Sequence, residues 1–77
     1  MAKVVKVYVV DSDGNGLVGQ RVKTYGGAEQ RTDRNGSVSL VVDGGSVSIF
    51  VNGFTAFNGS VSRLDSQEVF TKSGGRP

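Results

Sequence analysis

The string Asp11-Ser12-Asp13-Gly14-Asn15-Gly16 is the most site-like stretch of this chain. Side-chain oxygens at its first, third and fifth positions, with Gly at the sixth, copy the first half of a calcium loop, where hard carboxylate and amide oxygens surround the ion. Such a loop also needs a bidentate Glu at its twelfth position, and that position is Val22. The flanking residues alternate as strands do instead of repeating with a helical period. The string therefore reads as an Asx-stabilised β-turn, in which an Asp side chain accepts hydrogen bonds from amides of its own turn. Weak calcium binding at Asp11, Asp13 and Asn15 is the alternative. No metal or cofactor residue is assigned.

Catalytic groups are scarce. The chain has no His and no Cys, so the usual general base near neutral pH and the thiolate nucleophile are both missing. Seven carboxylates are present, mostly in predicted turns or at strand ends, where solvent keeps a carboxyl ordinary. Ser37, Ser39, Ser46, Ser48, Ser60 and Ser62 are the polar half of an alternating pattern, with nothing beside them to activate a hydroxyl. No catalytic residue is assigned, and the chain reads as a non-enzyme.

The cations fall in loose groups, Lys3 with Lys6, Arg21 with Lys23, and Arg31 with Arg34, and the formal net charge is +2. A nucleic-acid surface needs denser charge and aromatics placed for stacking. Lys and Arg on outer strand faces also discourage edge pairing. The expectation is a solvated surface, with neither nucleic acid nor membrane as partner. Phe54 and Phe57 read as core or turn-packing residues. Tyr8 and Phe50 stand out of phase with the aliphatic residues of their strands, and exposed together they would form part of an apolar patch that marks an interface.

The elements that position these residues are strands. All four Asn residues precede Gly, at Asn15, Asn35, Asn52 and Asn58, and Asn-Gly between apolar runs is a strong hairpin signal because both residues tolerate positive φ. Fourteen residues are Val, against three Ala and three Leu, a balance that favours strands over helices. The alternation predicts strands over Lys3–Asp11, with Val5, Val7 and Val9 on one face, and over Leu17–Tyr25, split by Gly19, with Leu17 and Val22 aimed at the core. A short strand follows over Ala28–Thr32. Ser37–Val42 places Val38, Leu40 and Val42 inward and its serines outward, and Ser46–Asn52 does the same with Val47, Ile49 and Val51. Phe54–Leu64 supplies Phe57, Val61 and Leu64, and Gln67–Thr71 supplies Val69 and Phe70. Period-two alternation of this kind marks antiparallel layers with one wet face. Residues 1–71 form one domain, and residues 72–77, Gly-rich and terminal, read as a flexible tail.

The segments Val10–Val22, Thr32–Leu40 and Gly45–Phe54 together resemble the carboxypeptidase regulatory-like domains, also called transthyretin-like or prealbumin-like. Those domains share an opening Asp and Gly turn, a Leu-x-Gly-x-x-Val stretch, a Thr-Asp-x-x-Gly turn and a strand ending near Gly-Phe. The likeness spans residues 4–70. It departs at Gly16, where the family prefers Pro, at Gln20, where it prefers Ala, and at Val47, where it prefers Tyr. The resemblance implies an all-β fold, a seven-stranded antiparallel Ig-like β-sandwich. It implies no catalysis, since in metallocarboxypeptidases of this kind the zinc site lies in a separate domain.

At 77 residues one domain is the ceiling, and the area scaling for this mass predicts about 4,500 Å² of exposed surface when folded. So small a core without disulfides or a metal is marginal alone, which favours self-association or docking onto a partner. The apolar run Val7–Val10 is too short for a signal peptide or a membrane span, so a cytoplasmic location is the default, with an extracellular or virion location the alternative. The function expected is a non-catalytic interaction module that binds a protein partner, or itself, through its surface or an edge strand, the first strand (Lys3–Asp11) or the last (Gln67–Thr71). The rival is a structural subunit of a shell, fibre or virion decoration. No small-molecule ligand can be named.

Overall fold

A computed structural model describes residues 2–75. Strands account for 53% of the described residues and helix for 4%. The order is β1 (Lys3–Val10), β2 (Arg21–Thr24), β3 (Gln30–Arg31), β4 (Ser37–Val42), β5 (Ser46–Val51), β6 (Phe54–Ser60), a single 3₁₀ turn (Val61–Arg63) and β7 (Gln67–Thr71). The seven strands form two sheets, one in the order β4-β1-β7 and the other β3-β2-β5-β6.

The second sheet is antiparallel throughout. The first is mixed: β1 runs antiparallel to β4 but parallel to β7, which corrects the purely antiparallel expectation. The cause is the connection. β7 is reached from β6 by crossing from one sheet to the other through the 3₁₀ turn and residues 64–66, and a crossover, unlike a tight hairpin, can deliver a parallel strand. The same order corrects the edge assignment for the first strand. β1 is central in its sheet, and β4 and β7 are the edges.

The core lies between the sheets. Val5, Val7 and Val9 of β1, Leu40 and Val42 of β4 and Phe70 of β7 meet Val22, Ile49 and Val51 of the second sheet, and Val61 and Leu64 close one end. Alternation placed most of these residues correctly and failed where a strand end meets a loop. Ser37, expected outward, is buried, with its hydroxyl against both carboxylate oxygens of Asp33 at 3.2 Å. Val69 and Phe70 were both assigned to the core, but adjacent residues of a strand point to opposite faces. Phe70 is buried, Val69 is on the outer face, and Glu68 takes the other inward position, its Oε2 accepting the Asp65 amide at 2.8 Å. Leu17 is only half-buried, because the chain there is held by loop contacts and enters β2 only at Arg21. The accessible surface, 4650 Å², is close to that scaled from the mass.

One end of the sandwich is built from a repeated turn. In Asp11–Asn15, Asp33–Ser37 and Thr71–Gly75 the first residue donates its amide to the carbonyl of the fifth, at 2.9, 3.0 and 2.7 Å, and its carbonyl accepts the amide of the fourth, at 3.1, 2.9 and 2.9 Å. The fourth residue is a Gly with positive φ each time: Gly14, Gly36 and Gly74. The third of these turns shows that residues 72–75 fold back on the domain, with Lys72 O accepting Asn52 Nδ2 at 2.8 Å. The flexible tail expected to begin at Lys72 therefore does not begin there. Met1, Arg76 and Pro77, the last two assigned to that tail, lie outside the described residues.

Candidate functional site

The calcium-like string is the first of the three turns. Asp11 Oδ1 accepts the amides of Asp13 at 2.9 Å and Asn15 at 3.0 Å. These hydrogen bonds, the one from Asn15 foremost, hold the Asp11 carboxyl below the usual carboxylate range. Asp33 repeats the arrangement, accepting Asn35 N at 2.8 Å and Ser37 N at 3.1 Å, and its carboxyl is lowered too, chiefly by the Ser37 amide. A carboxylate oxygen already shared between two amides is a poor lone ligand for a hard cation. Among the described residues no group of three or more Asp, Glu, His or Cys is placed to hold a metal.

Tyr8 and Phe50, the pair expected to share a patch, are separated by the whole thickness of the sandwich. Both are half-buried. Tyr8 lies on the outer face of the β4-β1-β7 sheet, with Lys6 Nζ 5.3 Å from its ring centroid. Phe50 lies on the outer face of the other sheet. They anchor two different surfaces.

On the first surface the register brings side chains into apolar pairs. Val4 stands directly across from Val41, and Tyr8 directly across from Val69. Val4 and Val41 are 61% and 67% exposed, values that a β-branched side chain opposite its twin in water does nothing to justify. At the loop end a groove of about 330 Å³ is lined by Tyr8, Val10 and Val69, together with Gly14 and Asn35 of the two Asp turns and Gly16 after the first. Val4, Val41 and Val69 carried no functional reading from sequence. A signal was present in the doubled valines Val4-Val5 and Val41-Val42, because in a strand one member of each doublet must face away from the core.

On the second surface Arg21 lies directly across from Arg31, and Lys23 directly across from Phe50. Phe50 in turn faces Thr55, and Ser48 faces Asn58, with Ser48 Oγ donating to Asn58 Oδ1 at 3.0 Å. Tyr25 follows Lys23 on the same face and is 83% exposed. Lys23, Tyr25, Phe50, Gly26 and Gly53 line a cavity of about 360 Å³. The cations that sequence grouped as Arg21 with Lys23 and Arg31 with Arg34 are regrouped by the fold. Arg31 joins the β2 pair, while Arg34 stays in the Asp33 turn.

The chain matches no known protein family, no curated protein and no solved structure. Among the described residues no helix is long and apolar enough to cross a membrane.

Proposed function

We propose that the domain is a non-catalytic interaction module that binds a protein surface, and that the outer face of the β4-β1-β7 sheet is where it binds. The Val4–Val41 pair carries this reading. These two side chains leave an apolar spot in water at the end of the sheet away from the Asp turns, and beyond Lys6 and Ser39 on the same face a second apolar pair, Tyr8 and Val69, leads to the groove at the loop end. A second copy of the chain is the occupant to which the face is best matched. A two-fold axis near the pair would set each valine against its counterpart, with the Lys6 ammonium beside the Tyr8 ring bounding the patch on its loop side. The two-sheet, seven-strand layout supports reading the scaffold as an Ig-like sandwich of the carboxypeptidase regulatory-like kind, in which the module serves recognition and not catalysis.

A structural role is the second reading, and one observation favours it. The first sheet is open at both sides, at β4 and at β7, so sheets could continue from copy to copy by strand addition. Size-exclusion chromatography with light scattering over a wide concentration range separates the two. A concentration-dependent dimer that Val41→Lys dissolves without lowering the melting temperature supports the docking face. Filaments or closed shells would shift the assignment to the structural role, and a monomer at every concentration would remove the second copy as occupant.

A further inference from the structure

We propose that the outer face of the β3-β2-β5-β6 sheet is a binding surface for single-stranded nucleic acid. This goes beyond the reading above, uses the opposite face of the molecule and does not depend on it. Along the chain the cations are too thinly spread to indicate a polyanion partner, which is why none was expected from sequence. The fold changes their density. Arg21, Lys23 and Arg31 come to one face of two neighbouring strands, and no Asp or Glu occurs anywhere in β2, β3, β5 or β6. Three cations facing water with no carboxylate among them on the strands form a field that an anionic ligand would complete. Residues two apart on a strand are about 6.6 Å apart, and neighbouring strands about 4.8 Å, so the three charges form a compact triangle that a flexible phosphate chain can follow.

The aromatics decide the class of polyanion. Tyr25 leaves its ring in solvent, and Phe50 lies beside it, across from Lys23. Gly26 and Gly53 carry no side chain, and open space surrounds the position a Cβ would take at either, so the cavity between the rings stays accessible from outside. Accessible rings beside cations are what unpaired bases stack on, with little sequence preference. A duplex hides its bases from such rings, and an acidic peptide does not carry an aromatic face at every anionic unit as a single strand does. Ser48, Thr55 and Asn58 add hydroxyl and amide groups on the same face, suited to sugar and base edges.

The test is fluorescence anisotropy of a labelled oligothymidylate titrated with the whole chain. Saturable binding is expected at low salt, with log K falling against log salt at a slope of about −2, from about −0.7 per neutralised phosphate over three cations. Removing two of the cations in Arg21→Gln/Lys23→Gln should flatten the slope to about −0.7. Tyr25→Ala should weaken binding roughly 5- to 150-fold, the span observed for loss of one base–aromatic stack, while Tyr25→Phe retains it. All three residues are exposed, so these variants fold, as circular dichroism would verify. Val41→Lys, on the other sheet, should leave the titration unchanged for a strand too short to reach two sites. Absence of an anisotropy change at low salt overturns the proposal, as does a Tyr25→Ala variant that binds like the parent. Equal affinity for a duplex of the same length, or for polyglutamate, overturns it too, because either would show general attraction to negative charge.

Discussion

Replacing Thr32 by Val removes one oxygen and two hydrogen bonds and alters little else. Thr32 is buried, and its Oγ1 accepts the Gln20 amide at 2.9 Å while donating to the Leu17 carbonyl at 2.5 Å. Those contacts fasten the segment from Leu17 to Gln20, which belongs to no strand and carries the chain from the first sheet to the second. Val keeps the branched shape, so no cavity opens. What remains is a donor and an acceptor turned from a good partner toward a methyl group. At about 1 kcal/mol for each lost hydrogen bond, and more where a partly buried group is left unsatisfied, Thr32→Val should cost about 2–3 kcal/mol. For a domain of this size that corresponds to a melting temperature lower by about 10–20 °C. Thr32→Ser keeps the hydroxyl and loses a methyl, so its cost should stay near 1 kcal/mol. Thermal and urea unfolding followed by circular dichroism would measure both, with the urea midpoint moving and its slope unchanged. A Thr32→Val midpoint within about 2 °C of the parent, well inside what 1 kcal/mol would move, would refute the reasoning, as would Thr32→Ser falling as far as Thr32→Val.

Gly14 and Gly36 occupy the same place in equivalent turns, both with positive φ, but only Gly36 is crowded: a Cβ there would lie 2.6 Å from Gly16 Cα and Leu17 N, whereas Gly14 faces open space. Gly14→Ala should therefore cost only the backbone penalty, about 1–2 kcal/mol, and Gly36→Ala distinctly more, a difference that parallel urea titrations would resolve. The lowered carboxyls of Asp11 and Asp33 give stability that is complete above the unfolded-state value of about 3.9 and is lost as pH falls through the lower folded-state values. Melting temperatures measured down to acid pH should fall in that window, and Asp33→Asn should flatten part of the acid limb. Asn52 accepts the Arg21 amide at 3.0 Å with Oδ1 and donates through Nδ2 to Lys72 O and Gln20 Oε1. Asn52→Asp replaces that double donor with an acceptor, so it should cost about 1–2 kcal/mol and speed hydrogen exchange at the Thr71 and Gly74 amides.

The strands were legible where one physical signal dominated. From Ser37 to Val51 the alternation is clean and the turns carry Gly, and the observed β4 and β5 match the reading to within a residue. Between Leu17 and Thr32 it was weaker, because the segment is fixed by hydrogen bonds from Thr32 and by loop packing, neither of which leaves a periodic trace in sequence. The direction of β7 was not readable at all. Val69 and Phe70 are equally apolar, and the same five residues could pair either way with β1, so only the crossover through Val61–Arg63 sets the parallel register. The candidate surfaces fared alike. Asp11, Asp13 and Asn15 could be read as a turn because their partners are two and four residues away. The pairings Arg21–Arg31, Lys23–Phe50 and Val4–Val41 join residues from 10 to 37 positions apart, and that information exists only once the strands are in register.

The same contrast bears on where the molecule can act. At the loop end the side chains that open the three turns are committed to those turns. Asp11 and Asp33 hold their own turn amides, Thr71 Oγ1 donates to Gly75 O at 3.0 Å, and Gly16 lies directly against the Asn35 carbonyl. In many β-sandwiches such loops carry recognition because they are free to vary. Here a side chain added at Gly16 or Gly36 would push two turns apart, so this end is held for stability. The sheet faces have the opposite character. Side chains on a face can change without disturbing the ladder beneath them, and the two faces carry unlike sets, valines and Tyr8 on one, cations, Tyr25 and Phe50 on the other. A module with one face of paired apolar residues around Lys6 and another that is cationic and aromatic would engage a protein and a nucleic acid together without either competing for the other's surface. If both contacts form, dimerisation through the Val41 face would place two cationic faces outward on one particle. Oligonucleotide affinity would then rise with strand length once a single strand could reach both sites, and Val41→Lys would abolish that length dependence while leaving short-strand binding intact.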